Sequence, residues 1–124
     1  VAENQAAEFL IDQGITIITR NFSSRRGEID LIGLDGNQLI FFEVKQRSGN
    51  SSNPADATGR VKLIRIRKAI EDYLKATDQI GRDFRLEMVA ITDLGISRLP
   101  IEANIIAPNA EREDFDESDI YEAN

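Results

Sequence analysis

The stretch 28–45 constrains the fold more tightly than any other part of the chain. It holds two apolar runs, 28–32 and 39–45, on either side of Gly33-Leu34-Asp35-Gly36-Asn37-Gln38, and Asp-Gly between such runs is the strongest short hairpin signal. Side chains alternate along a strand, so Glu28 and Asp30 share one face and Ile29 and Leu31 the other. In the second run Glu43 and Lys45 go with Leu39 and Phe41, opposite Ile40, Phe42 and Val44. A two-residue turn at Asp35-Gly36 would set Leu34 against Asn37, Asp30 against Phe41 and Glu28 against Glu43. A three-residue loop would break this parity unless a bulge restored it.

With that register, Asp30, Glu43 and Lys45 emerge together at one end of the hairpin. Ionisable groups gathered in strands this apolar are costly without a compensating ion, and carboxylates converging from paired strands repel. A divalent cation would relieve the repulsion, bind a phosphate oxygen and lower the pKa of a bound water. The Val44 carbonyl, between Glu43 and Lys45, would offer a further oxygen ligand. Lys45 would orient the attacking water or offset developing phosphate charge. The plainer alternative is a hairpin end with solvated charges in salt bridges, which contribute little.

Around the hairpin, residues 2–13 predict a helix with Ala2, Ala6, Phe9 and Leu10 on one face and Gly14 at its end. Residues 15–19 are a β-branched run, hence a strand, and 20–26 a polar, basic loop closing at Gly27. A Ser-, Gly- and Asn-rich loop occupies 48–59. A second helix is expected over 60–76, with Leu63, Ile66, Ile70 and Leu74 as its buried stripe and Arg60, Lys62, Arg65, Arg67 and Lys68 on its other faces. Residues 85–92 form another buried strand and 101–106 a further one, with Pro100 at its entrance. The expected class is α/β, a mixed β-sheet flanked by helices. One domain spans 1–107, and 108–124 forms an acidic C-terminal tail, expected to be mobile, with a competing hold on the basic groove as its sharper role.

The chain contains neither His nor Cys, which removes the usual general base, thiolate chemistry and nitrogen or sulphur metal ligands. A metal must be held by oxygen, which favours magnesium, manganese or calcium. The net charge of -7 speaks against a nucleic-acid partner until its distribution is followed. Seven acids crowd into 111–122 against Arg112 alone, whereas 20–75 holds eleven bases against seven acids. The half that carries the hairpin is locally basic, as phosphate binding requires. No apolar run approaches a bilayer span, so no membrane partner is expected and a cytoplasmic location is the default.

Arg20-Asn21, Gly27-Glu28-Ile29-Asp30-Leu31-Ile32, Phe41-Phe42-Glu43-Val44-Lys45-Gln46-Arg47, and Lys62 with Arg65 together resemble the PD-(D/E)XK nuclease superfamily. The closer likeness is to its YraN-like branch of predicted endonucleases, related to Holliday-junction resolvases. Ala2-Glu3 and Ala6 in the first helix fit the same pattern, and the likeness covers about residues 1–92. It implies a restriction-endonuclease-like core and a metal-dependent endonuclease, using Mg2+ or Mn2+ on DNA, branched or damaged. Asp30 and Glu43 would be metal ligands beside the Val44 carbonyl, with Lys45 the catalytic lysine. Glu3 would approach from the first helix, and Glu28 would support the site. Arg47, Lys62 and Arg65 would support it or contact phosphates, and Arg25 and Arg26 belong to a loop that would contact nucleic acid or merely fill it. A homodimer is the assembly that junction-cleaving relatives suggest. Glu87, in the strand 85–89, stands where the family usually has Asp. The rival reading is a non-catalytic nucleic-acid-binding or protein-interaction module that retains the fold.

Overall fold

In a computed structural model, described over residues 1–47 and 59–101, the chain forms a five-stranded mixed sheet with one helix on each face. The elements run α1 (Ala2–Asp12), β1 (Thr16–Ser24), β2 (Gly27–Asp35), β3 (Gln38–Gln46), α2 (Arg60–Ala76), β4 (Phe84–Thr92) and β5 (Gly95–Pro100). The strands lie in sequence order and pair antiparallel except β3 with β4, which are parallel. Parallel neighbours need a long crossover, and α2 lies within it. No helix among the described residues is long and apolar enough to cross a membrane.

Each helix lies where its apolar stripe dictates. Ala6, Ala7 and Leu10 of α1 pack on one sheet face against Leu31, Ile40, Phe42 and Val89. On the other face, Leu63, Ile66, Ile70 and Leu74 of α2, the expected stripe, pack against Ile32, Leu39, Phe41 and Leu86. Gly14 ends α1 as expected. Its φ of +92° lets its N–H reach Ile11 while the Ile15 N–H reaches Leu10, satisfying two carbonyls that the helix end would orphan.

Four expectations need correction. First, β1 runs on through Ser24, so the loop expected over 20–26 shrinks to the turn Arg25-Arg26. Partners on β2 hold this polar stretch extended, and Phe22 anchors it edge-on against Tyr73, ring centroids 5.3 Å apart. Second, the β2–β3 turn is Gly36-Asn37, because Asp35 pairs with Gln38 and Leu34 with Leu39. Gly36, at φ +60°, takes the left-handed position that opens the turn. The register moves by two residues, and an even shift leaves the side chains paired in this ladder, 31–35 and 38–42, on their expected faces.

Third, Ile29 and Leu31 do not share a face. Leu31 packs with the α1 cluster and Ile29 with the α2 cluster. Between Arg20↔Leu31 and Phe22↔Ile29, Asn21 takes φ +55°, while the register of the β1–β2 ladder shifts earlier, between Ile17 and Thr19. Asn accepts that conformation more readily than most residues. Fourth, a strand that the pattern did not announce follows β4: β5, Gly95–Pro100, with Pro100 paired to Glu87 at its end. The Ile101 N–H still bonds to Leu86, but 102–106, the tail and 48–58 lie outside the described residues.

Candidate functional site

The site arises where the central hairpin comes apart. Both β2 and β3 extend beyond Leu31 and Phe42, yet the ladder between them stops at that pair. Beyond it β2 stays with β1 as far as Ser24↔Gly27, while β3 stays with β4 as far as Gln46↔Ile91. The result is a fork, and into it opens a cleft of about 660 Å³. Its walls bring together Glu3 from α1, Glu28 and Asp30 from β2, Glu43, Val44 and Gln46 from β3, and Val61, Lys62 and Arg65 from α2. Both helices reach the cleft although they cover opposite sheet faces, because the fork opens the sheet between them.

Asp30 bridges the fork. Its Oδ2 accepts the Val44 N–H at 2.7 Å, replacing the strand partner that β2 no longer supplies. A residue in an extended strand sends its N–H and C=O to the same edge, so the Val44 carbonyl also faces the fork. Glu43 is almost wholly buried, and it lines the same cleft as Asp30, whose charge acts on it. Burial pushes the Glu43 carboxyl above its ordinary value, and Asp30 adds to the push; Lys62 pulls against both without reversing them. Lys62 Nζ stands 2.5 Å from Glu43 Oε2, and Lys45 Nζ 3.9 Å from the same oxygen.

The two lysines differ in consequence. The neighbouring Lys62 ammonium, and then burial, hold Lys45 below the usual lysine value. Burial also pulls on Lys62, but the Glu43 carboxylate beside it carries it above that value. Glu3 and Glu28 line the cleft, yet no group of three acids stands close enough among the described residues to hold a metal by carboxylates alone. The oxygen donors that converge are Asp30, Glu43 and the Val44 carbonyl.

The remaining candidates separate. Arg65 lines the cleft, while Arg47 follows β3 with its N–H on Ile91 and adds positive charge near Lys45. Arg25 is exposed at the β1–β2 turn, away from the cleft wall. Arg26, also considered for nucleic acid, is buried instead. Its guanidinium takes Asp72 through two nitrogens, at 2.6 and 3.2 Å, and reaches Glu71 and the Lys68 carbonyl. An arginine so engaged within the fold is not presented to a phosphate. Glu87 is buried on β4 between Arg85 and Arg98, and Arg98 reaches Gln13 at the end of α1. Val61 was missed: half-exposed on a helix, it reads as a solvent position unless the fork is known. Gln46 was visible only as part of the strand motif.

Residues 2–91 match the model of uncharacterised protein family UPF0102. A UPF0102 protein of Pseudoalteromonas translucida is 40% identical over 91 residues, covering 73% of this chain and 74% of the relative. One from Marinobacter nauticus is 41% identical over 91 residues, with the same coverage. One from Vibrio cholerae is 38% identical over 96 residues, 75% of this chain and 79% of the relative. The matched span begins with α1 and ends in β4, so it takes in every residue that lines the fork. The chain belongs to the UPF0102 family.

Proposed function

We propose that this protein is a metal-dependent endonuclease that hydrolyses DNA phosphodiester bonds. The observation that carries the reading is the meeting of the Asp30 and Glu43 carboxylates in a fork that also exposes the Val44 peptide. Two acids held this close, one of them buried, repel each other unless a cation lies between or beside them. The donor set is oxygen only and suits Mg2+ or Mn2+, with Asp30, Glu43 and the Val44 carbonyl as the holders. Such an ion supplies Lewis-acid polarisation of the phosphate and a water of lowered pKa.

The chain's own groups surround that position. Lys45 stands beside Glu43 where an amine orients a nucleophilic water and offsets charge on the phosphate. Lys62 and Arg65 put positive charge on the α2 wall of the cleft, and Arg47 extends it along β3. Glu28, on β2, and Glu3, on α1, line the same cleft as supporting acids for water or substrate. No base-reading motif is visible, so specificity for a shape, a branch or a damaged site fits better than sequence reading. Symmetric cutting of a junction takes two sites, which makes a homodimer part of the proposal.

Incubating the protein with junction, flap and linear DNA in Mg2+ or Mn2+ tests this. Cleavage that disappears in Asp30→Ala and Lys45→Ala, with DNA binding kept, is the expected result. Binding without cleavage in either metal would overturn the enzymatic reading and leave a binding module. No binding at all would leave a protein-interaction domain.

A further inference from the structure

If the fork is a metal centre, as proposed, the cation already beside Glu43 regulates it. Glu43 Oε2 meets its nearest cation in Lys62, at 2.5 Å, while Lys45 stands off at 3.9 Å. Lys62 does not belong to the hairpin that builds the acid pair. It comes from the first turn of α2, and its side chain is 45% exposed against 5% for Glu43. The charged end can therefore swing on its flexible stem without disturbing the core, whereas the carboxylate cannot move out to meet water. An ammonium and a divalent ion cannot both occupy hydrogen-bonding distance of one carboxylate oxygen without strong mutual repulsion.

We infer that Lys62 is the site's own counter-cation: it competes with the divalent ion for Glu43 Oε2, and ion loading releases its ammonium into the cleft to meet a substrate phosphate. The lysine then has two destinations, the carboxylate and the phosphate. Metal binding and phosphate binding become linked, because each makes the other's position available. Such coupling is reciprocal by thermodynamic necessity. A DNA phosphate that draws Lys62 off Glu43 tightens the metal by the same factor by which the metal tightens DNA.

Mn2+ titration of the full chain, followed by the electron paramagnetic resonance signal of free Mn2+, reads this without any cleavage. Lys62→Met and Lys62→Gln should each bind Mn2+ about five- to tenfold more tightly than the parent, the worth of one charge-assisted bond discounted for exposure. A short DNA duplex should tighten Mn2+ binding by the parent and not by either variant. Two substitutions and a thermal melt of each guard against misfolding of one. Parent binding that is lost in Glu43→Gln, with unchanged or weaker Mn2+ affinity in both Lys62 variants, would overturn the competition and leave the metal centre standing. No Mn2+ binding by parent or variants would overturn the metal centre and the competition with it.

Discussion

The Val44 amide donates to Asp30 Oδ2 at 2.7 Å across the opening between β2 and β3. Asp30 therefore does two things at once: it completes a backbone hydrogen bond, and it places a carboxylate beside Glu43. The two separate by substitution. Asp30→Asn keeps an acceptor for Val44 and loses the charge; Asp30→Ala loses both. Leaving a part-buried N–H unpaired costs about 1–3 kcal/mol, so the Ala variant should unfold at lower denaturant than the Asn variant. On the proposed function both should lose cleavage alike. Equal stability of the two variants would remove the structural half of this account.

Arg26 ties the β1–β2 turn to α2 through Asp72 and Glu71. Its side chain is 8% exposed and that of Asp72 22%, so Arg26→Ala strands a carboxylate with limited access to water. The expected loss is about 2–4 kcal/mol, and Arg26→Lys should recover little of it because a point charge cannot reproduce the paired contact. Urea unfolding measures both. DNA affinity should change little in the folded variant; a large loss would return Arg26 to the phosphate-contacting set.

Gly27 is required for contact rather than flexibility. A Cβ there would sit 2.3 Å from the Arg65 carbonyl oxygen and 3.0 Å from its carbon, both backbone atoms of α2. Gly27→Ala must push the helix from the sheet beside Arg65, at an expected cost of about 1–3 kcal/mol. Thermal denaturation checks it. A melting point equal to the parent's would show that α2 and β2 have slack at this crossing.

Acid should unfold the protein through two carboxylates outside the fork. The bond from Arg26 holds Asp72 below its usual 3.8, and for Glu87 burial pushes upward but Arg98 and Arg85 outweigh it, leaving it below 4.5. Both bind protons more weakly in the folded chain. The stability they contribute is whole above those unfolded values and drains as pH falls through the lower, folded ones. Glu43 has the opposite sign. Its raised carboxyl takes a proton more readily when folded, so acidification toward 4.5 favours the fold there. Melting followed from about pH 7 to about pH 3 should hold level or rise slightly, then drop. Glu87→Gln should lower the plateau and flatten the drop; an equally steep drop would exclude Glu87 as its source.

What was legible in the sequence was whatever burial decides locally. The α2 stripe of Leu63, Ile66, Ile70 and Leu74 and the β3 run survive intact, because their apolar spacing has a single good solution against a sheet. The hairpin turn was misplaced by one residue, which preserves faces in the paired ladder up to Leu31↔Phe42, and Asp30 and Glu43 just beyond it line one cleft. What failed depended on distant partners. Residues 20–24 look like a loop until β2 pairs with them, and Ile96 with Leu99 is too sparse a pattern to announce β5. Arg26 looked like a phosphate ligand because Asp72, its partner, is 46 residues away. The fork itself, with Val61 and the Lys62–Glu43 contact, depends on where the β2–β3 pairing stops, which no periodicity encodes.

The parallel pairing of β3 with β4 also sets an order of events. The strands β1, β2 and β3 are joined by two-residue turns, so their contacts close short loops and can form first. Pairing β3 with β4 must wait for the crossover that contains α2, a long closure with a larger entropic toll. Asp30, Glu43 and Lys45 thus come together in an early folding unit, and Lys62 arrives only with the late one. Pulsed hydrogen exchange during refolding should show amides of the first three strands protected before those of α2. Until that helix docks, the acid pair faces water without its resident ammonium.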